Sequence, residues 1–392
     1  MKHIDNIIVG GGISGYSFAN QFKRNNLDYL IFEKDTIGGC INTQQYQDFW
    51  FELGGHTIYN SYANTIEYIK NNSLENCIIK RDNPPFLFVK ENNQISAILR
   101  NINPISGLFS FIKNRKLDKV GKSVQEYAEC VFGKKNYQKT LKYCFDAVLS
   151  QDSHNFPMEY LFKKYPRDEN LPRSFTLKNG LGGLFTDDKN VIKSEVLSIH
   201  KENNLWIVQT PDTKYSCDNL CIATEWHQTA KLIKNITPSL SNHRFQPELS
   251  KIRSISVVIE NGKIKHLKKI AGLIGKKQFF YSVVSRDIIE QPNLRGFTFH
   301  CKDSETSIAE LLKSISNVLK IKIQDIEYYY EKQNTLPKYN LKHSVFIEDL
   351  NNFLKSQQGL YISGNFFDRL AIENCIKRSN EEFLRLKQHL NN

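Results

Sequence analysis

HIDNIIVGGGISGYSFANQFKRNNLDYLIFEK, residues 3–34, is the stretch that decides the fold. Ile7, Ile8 and Val9 form a short apolar run that leads into Gly10-Gly11-Gly12-Ile13-Ser14-Gly15. Tyr16, Phe18, Ala19 and Phe22 then recur at helical spacing, and a second apolar run ends at Glu33-Lys34. The pattern reads as strand, turn, helix and strand, and each marked residue has a physical task. Gly10 makes the tight turn, Gly12 lets backbone approach a pyrophosphate, and Gly15 lets helix and sheet pack closely. The amides around Ile13 and Ser14 open the helix, where free N–H groups and the dipole favour phosphate. Glu33, about 20 residues on, is placed to accept hydrogen bonds from ribose hydroxyls. The unit predicts a Rossmann-like dinucleotide site.

Further glycine-bearing segments extend it. Gly38-Gly39-Cys40 is followed by Thr43, and a strand-like run, residues 49–53, ends in Gly54-Gly55-His56-Thr57. Backbone without side chains at such doublets can lie along an extended cofactor. In the middle of the chain, residues 191–199 read as one strand containing Val196, and Leu220-Cys221-Ile222 lead to Ala223-Thr224. Near the C-terminus an apolar run ends at Gly364-Asn365, and Ala371-Ile372 open a helical pattern, offering a second helix N-terminus to phosphate.

These segments resemble the two-dinucleotide-binding-domain flavoproteins of the amine oxidase and protoporphyrinogen oxidase superfamily. Gly38, Gly39 and Thr43 match the family's GG-R/K-x-x-T, and Glu52, Gly54 and His56 match its next segment. Cys40 departs, since a cation usually stands there. The resemblance implies FAD as cofactor, with Val196 meeting the adenine through its backbone and Ala223-Thr224 running up to the flavin. Ser123-Val124-Gln125-Glu126-Tyr127, Phe132-Gly133, Phe156-Pro157 and residues 174–184 look like oxygen-dependent protoporphyrinogen oxidases. So do Leu336-Pro337-Lys338-Tyr339, residues 359–365 and Asn374-Cys375-Ile376. Two departures stand out. The propionate-gripping arginine of some members is missing before Phe86-Leu87-Phe88-Val89, with only Arg81 and Arg100 nearby. Phe366-Phe367 replace small residues expected near the flavin.

The implied fold class is α/β: a discontinuous FAD domain (1–75, 175–230 and 345–392), a mixed-sheet substrate domain (76–100 and 231–344), and a helical insert (101–174). Strands are expected at 255–260, 279–284 and 296–300, with a helix over 307–320. The insert's Leu108, Phe109 and Phe111 beside Lys113, Arg115 and Lys116 suit contact with a membrane surface.

Composition bounds the rest. The 40% apolar fraction suits a globular protein, and no run approaches the roughly 18 apolar residues of a membrane span. Met1 stands almost directly before the first strand, so no secretory signal is expected. Eight cysteines without a CxxC pair point to a reducing cytoplasm and to no metal site. The formal charge of +12 comes without any nucleic-acid module; anionic lipid or a carboxylated substrate is one reading of it, and solvated surface lysines without a partner are the other.

The resemblance implies dehydrogenation of a small organic molecule by hydride transfer to flavin N5, with dioxygen or a quinone as acceptor. A porphyrinogen, in heme biosynthesis, is the leading substrate. Amine oxidation, desaturation, UDP-sugar isomerisation and FAD binding without turnover are the alternatives. No catalytic acid or base is assigned, and Lys268 and Lys269 are weak candidates for holding a flavin-side water.

Overall fold

A computed structural model of the protein describes residues 1–390; residues 391–392, which end the 345–392 segment, lie outside the described residues. The opening unit forms strand Asn6–Val9, helix Ile13–Arg24 and strand Leu30–Glu33. These enter a five-stranded, wholly parallel sheet in the order Val191–Lys193, Leu30–Glu33, Asn6–Val9, Asn219–Ile222, Leu360–Ile362. Every residue of Asn6–Val9 and Asn219–Ile222 is buried, as expected of a parallel sheet covered on both faces. Side-chain alternation sorts the two coverings. Ile8, Ile31, Cys221 and Tyr361 share a core with Phe18 and Phe22 of the first helix and Phe383 and Leu386 of helix Ile372–Leu390. Ile7, Val9, Phe32, Leu220 and Ile222 share another with Trp206, Val208 and Cys217 of a four-stranded sheet. That sheet runs Lys2–His3, Lys214–Cys217, Leu205–Gln209, Ser198–Glu202.

The expected single strand over 191–199 is two. Val191–Lys193 extends the parallel sheet and Ser198–Glu202 belongs to the four-stranded one. Between them Ser194 N donates to Glu33 O (2.9 Å), so the chain turns from one sheet to the other around Val196.

The second large element is a seven-stranded sheet. Its order is Ile326–Lys338, Glu248–Glu260, Leu294–Lys302, Phe280–Ser285, Gly272–Gly275, Phe86–Val89, Ile95–Ala97. The pairings are antiparallel except Gly272–Gly275 with Phe86–Val89. The strands are longer than the apolar runs read from sequence, because polar residues at both ends continue the ladder. Helix Ile308–Leu319, opened by a Ser307/Glu310 capping box, covers one face. Its Leu311, Ile315, Val318 and Leu319 pack with Ile255, Val257, Ile259, Phe297 and Phe299. These strand residues are odd-numbered, so even-numbered neighbours such as Ser254 and His300 point to the opposite face. That face looks toward the parallel-sheet half of the molecule.

Helices Pro104–Asn114, Val124–Phe132 and Lys142–Leu149 lie between the two halves in the chain. The last ends at Ser150 in the left-handed conformation (φ +52°). Leu149 and Ser150 there reach the cavity described next.

Candidate dinucleotide and substrate site

Local geometry gives the three glycines of the first turn different jobs. Gly10 has φ +109°, and a Cβ there would lie 2.6 Å from Ala223 O. A Cβ on Gly15 would lie 1.9 Å from Gly10 O, which fixes helix against strand. Gly12, with φ −80°, has nothing within 4 Å of its Cβ position. It faces a cavity of about 990 Å³, near the upper end of the roughly 300–1,000 Å³ usual for small-molecule sites.

The cavity gathers nearly all of the residues singled out from the sequence. Its wall includes Gly10, Gly12, Ile13, Ser14, Glu33 and Lys34 from the first unit, and Gly38, Gly39 and Cys40 from the next loop. Gly54, Gly55, His56, Thr57, Val196, Ala223 and Thr224 join them, as do Gly364, Asn365, Ala371 and Ile372. Gly15 does not line it and acts from beneath, through packing.

The cradle suits an extended diphosphate. Gly38 N donates to Gly11 O (2.9 Å), bringing Gly39 opposite Gly12, 3.7 Å from Gly39's Cβ position to Gly12 Cα. Helix Ile13–Arg24 starts at this gap, and its first amides have no intrahelical partners. Glu33 accepts from Gly11 N (2.6 Å) through one oxygen and from Asp35 N (2.8 Å) through the other. Each oxygen keeps a second lone pair for a hydroxyl. Cys40 opens onto the cavity, and the surrounding protein pushes its thiol up. The cation expected at that position arrives from a distant strand: Lys332 Nζ donates to Gly39 O (2.9 Å) and lines the cavity. Burial pulls the Lys332 ammonium down, with Cys40, Asp35 and Glu33 acting against that shift. Sequence offered one signal for it, the alternation of strand 326–338, which puts Tyr330, Lys332 and Asn334 on one face.

The other side of the cavity holds residues that sequence alone did not assemble. His56 Nε2 and His300 Nε2 lie 2.9 Å apart, and His300 Nδ1 is 3.0 Å from Ser254 Oγ. Ser254 Oγ also accepts from Asn334 Nδ2 (3.1 Å). One of the two Nε2 atoms donates to the other, and His56 Nδ1 has no hydrogen-bond partner among the described residues. Burial holds both rings neutral. It pulls His300 down to about 4 and His56 well below the usual range, His300 and Arg81 adding to the effect on His56.

Arg81, only a neighbour in sequence terms, lines the cavity. Its Nε is buried without a partner among the described residues, and burial lowers its pKa. Tyr59, Tyr62, Phe86, Leu149 and Val284 line the cavity as well, and none of the lining residues between 56 and 62, at 81 and 86, or over 147–150 and 282–284 carries a carboxylate. Arg100 does not line the cavity. Lys268 and Lys269 are exposed and do not line it, because the turn that carries them packs its Ile264 and Ile270 into the core under helix Ile308–Leu319. Phe366 and Phe367 do not crowd it either: Phe366 packs on Trp226 at 5.2 Å, and Arg378 lies over Phe367 at 3.9 Å. Both rings turn under Gly364 into the core.

Glu52, matched to a flavin-side motif, is a structural clamp outside the wall. It accepts from Leu181 N (2.6 Å) and Thr43 Oγ1 (2.8 Å), and burial pushes its carboxyl up to about 7. The folded protein therefore holds a proton that the unfolded chain releases near pH 4.5. The associated stability is fully present below that value and is lost as pH rises through about 7. Glu52→Gln should remove this slope, on the order of 2–3 kcal/mol between pH 4.5 and 7. Urea titrations of both proteins at pH 5 and pH 8 check it; parallel losses in the two proteins contradict it.

Comparison with known proteins agrees with this geometry. Residues 8–71 match a family model described as an NAD(P)-binding Rossmann-like domain. A stretch of 67 residues, 17% of this chain, is 37% identical to the "Probable flavin-containing monoamine oxidase A" of Dictyostelium discoideum, and spans 14% of that protein. Among solved structures, a "Putative protoporphyrinogen oxidase" from Exiguobacterium sp. 255-15 is similar with a TM-score of 0.78 at 12% identity, over 99% of both chains. Cyclohexylamine oxidase from Brevibacterium oxydans IH-35A is similar with a TM-score of 0.75 at 13% identity, over 99% of this chain and 100% of that one. The chain thus has a Rossmann-like dinucleotide-binding domain over residues 8–71 and, along its whole length, the fold of these solved oxidases.

Proposed function

We propose that the protein is an FAD-dependent oxidoreductase that oxidises an apolar organic acid, with a porphyrinogen, dehydrogenated to a porphyrin, as the leading substrate. One observation carries the reading: the Gly12–Gly39 cradle and the unpartnered Arg81 guanidinium open onto the same cavity. FAD, when bound, supplies the hydride acceptor. Glu33 would hold the ribose hydroxyls, and the two helix N-termini with the backbone of Gly12 and Gly39 would hold the phosphates. Arg81 would anchor a substrate carboxylate, His56 Nδ1 would meet a second polar group, and Phe86, Leu149 and Val284 would exclude water from the reacting carbon. No side chain is assigned as proton acceptor. Dioxygen or a quinone completes the turnover in this reading, and the cytoplasm is its proposed place.

A cationic amine is the second reading, favoured by the shared fold with cyclohexylamine oxidase. Arg81 opposes it, because a buried cation without a counter-ion repels an ammonium group. The deciding experiment mixes flavin-loaded protein anaerobically with protoporphyrinogen IX, coproporphyrinogen III or a panel of primary amines. Bleaching by a porphyrinogen, with porphyrin fluorescence, is the expected result. Bleaching by amines alone would replace the substrate assignment.

Lys332→Met should weaken FAD binding about tenfold, the scale of one hydrogen bond to a charged group. Unfolding of the cofactor-free protein should stay unchanged. A flavin fluorescence titration measures the first and a thermal melt the second. Equal affinity in the two proteins would show that Lys332 only braces Gly39.

A further inference from the structure

The seven-stranded sheet has a second cavity at one end. Strand Glu248–Glu260 runs into the turn over 261–270, and residues 286–293 connect Phe280–Ser285 to Leu294–Lys302. These two connections enclose a pocket of about 180 Å³ that shares no lining residue with the dinucleotide cavity. It is smaller than the roughly 300–1,000 Å³ usual for organic ligands, so it suits a small ion.

The wall of this pocket is cationic. Lys265, Lys269, Arg286 and Arg295 stand against a single carboxylate, Asp287. Arg295 neutralises that carboxylate, and all five N–H groups of its guanidinium go to Asp287 and to the carbonyls of Ile264, Leu267 and Lys268. The pair therefore offers neither net charge nor a free donor. Lys265, Lys269 and Arg286 remain, and none of them has an ion-pair partner among the described residues. The two lysines are exposed and Arg286 is half-buried, so the positive charge runs from the mouth of the pocket inward. Arg286 is held in one orientation: its Cζ lies 3.7 Å from the Trp50 ring centroid, and its Nε donates to Trp50 O (3.2 Å). Its Nη1 is buried without a hydrogen-bond partner among the described residues. Such an unpaired buried donor is rare in folded proteins and calls for an acceptor. Burial pulls this guanidinium down to about 10, with Glu52 acting against the shift and Arg81 adding to it.

We propose that the pocket between residues 261–270 and 286–295 binds one phosphate group, free or on a small ester. A phosphate monoester carries about −1.5 to −2 charges at pH 7 and three acceptor oxygens. That matches one oriented guanidinium and two ammonium groups better than a single carboxylate does. The site is independent of the cofactor, so its test stands apart from the flavin reading.

The experiment is isothermal titration of full-length protein with sodium phosphate, with glycerol phosphate and, at matched ionic strength, with sodium chloride. FAD-loaded protein is used so that the Gly12–Gly39 cradle is filled. Repeating the titration on Gly12→Val keeps the result clear of that cradle whether or not FAD binds there. Phosphate is expected to bind at a single site and to change tryptophan emission, because Arg286 lies on the Trp50 ring. Lys265→Ser with Lys269→Ser should lower the affinity at least about tenfold, and so should Arg286→Met, the scale of one hydrogen bond to a charged group. The lysines are exposed, so their double variant should melt like the wild type and carries the test even where Arg286→Met folds poorly. Tighter binding of glycerol phosphate than of free phosphate makes an ester the occupant, and the reverse order makes it the free ion; both support the site. Wild-type protein that binds neither phosphate overturns the proposal. Unchanged affinity in the lysine variant does so too, as does an equal response to chloride, which would reduce the effect to screening.

Discussion

Gly12→Val is expected to fold and to carry no FAD. The two halves of that statement have separate grounds. Gly12 has φ −80°, a backbone state open to any L-residue, and no atom lies within 4 Å of its Cβ position. The Cβ of the new side chain therefore meets no protein. It fills the gap facing Gly39, where a pyrophosphate must lie against backbone, so affinity should fall below detection. The contrasting variant is Gly15→Val. A side chain there meets Gly10 O at 1.9 Å and forces helix Ile13–Arg24 off the sheet. Gly15→Val should be recovered poorly or melt at lower temperature, whereas Gly12→Val should melt like the cofactor-free wild type. Flavin absorbance after desalting, alongside a thermal melt, reads both. A flavin-loaded Gly12→Val protein would remove the cradle from the site.

The second large effect concerns stability alone. Asp287 and Arg295 form a buried pair, Arg295 Nε donating to Asp287 Oδ1 at 2.8 Å. Asp287 Oδ2 also accepts from Ile270 N (3.0 Å), and Arg295 donates to the carbonyls of Ile264, Leu267 and Lys268. Together they tie the turn over 261–270 to the seven-stranded sheet. Asp287→Ala leaves a buried guanidinium unpaired and should cost about 3–5 kcal/mol, a large fraction of the roughly 5–15 kcal/mol that holds a domain folded. Asp287→Ala with Arg295→Met should regain most of that loss, because the uncompensated charge is gone. Urea unfolding of the three proteins tests it. A single variant within about 1 kcal/mol of wild type would show that water reaches Arg295.

The first strand, its glycines and Glu33 were legible because their geometry is local. Each acts within a few residues of its neighbours, and spacing alone states the requirement. Arg81, His300 and Lys332 were not legible as a set. They come from three segments that meet only after two sheets face each other, and a polar residue on a cavity face looks in sequence like one facing solvent. Period-2 alternation puts Ser254 with His300, and Lys332 with Asn334, on one face, but only the packed helix Ile308–Leu319 on the other shows which face is the wall. Phe366-Phe367 mislead for the opposite reason. Proximity to Gly364 in the chain suggested bulk beside the cofactor, yet the turn after Gly364 sends both rings into the core. Cys40 likewise suggested a missing charge, which the fold replaces from Lys332, 292 positions away in the chain.

The central claim is that one extended dinucleotide lies from Glu33, across Gly12 and Gly39, to Gly364. A crystal structure of protein loaded with one equivalent of FAD tests it directly. Continuous density along that line, with the adenosine ribose at Glu33 and the flavin ring between Gly364 and His56, is the predicted result. Fully occupied FAD at any other surface, or a cradle left empty by protein that binds FAD stoichiometrically, would contradict it.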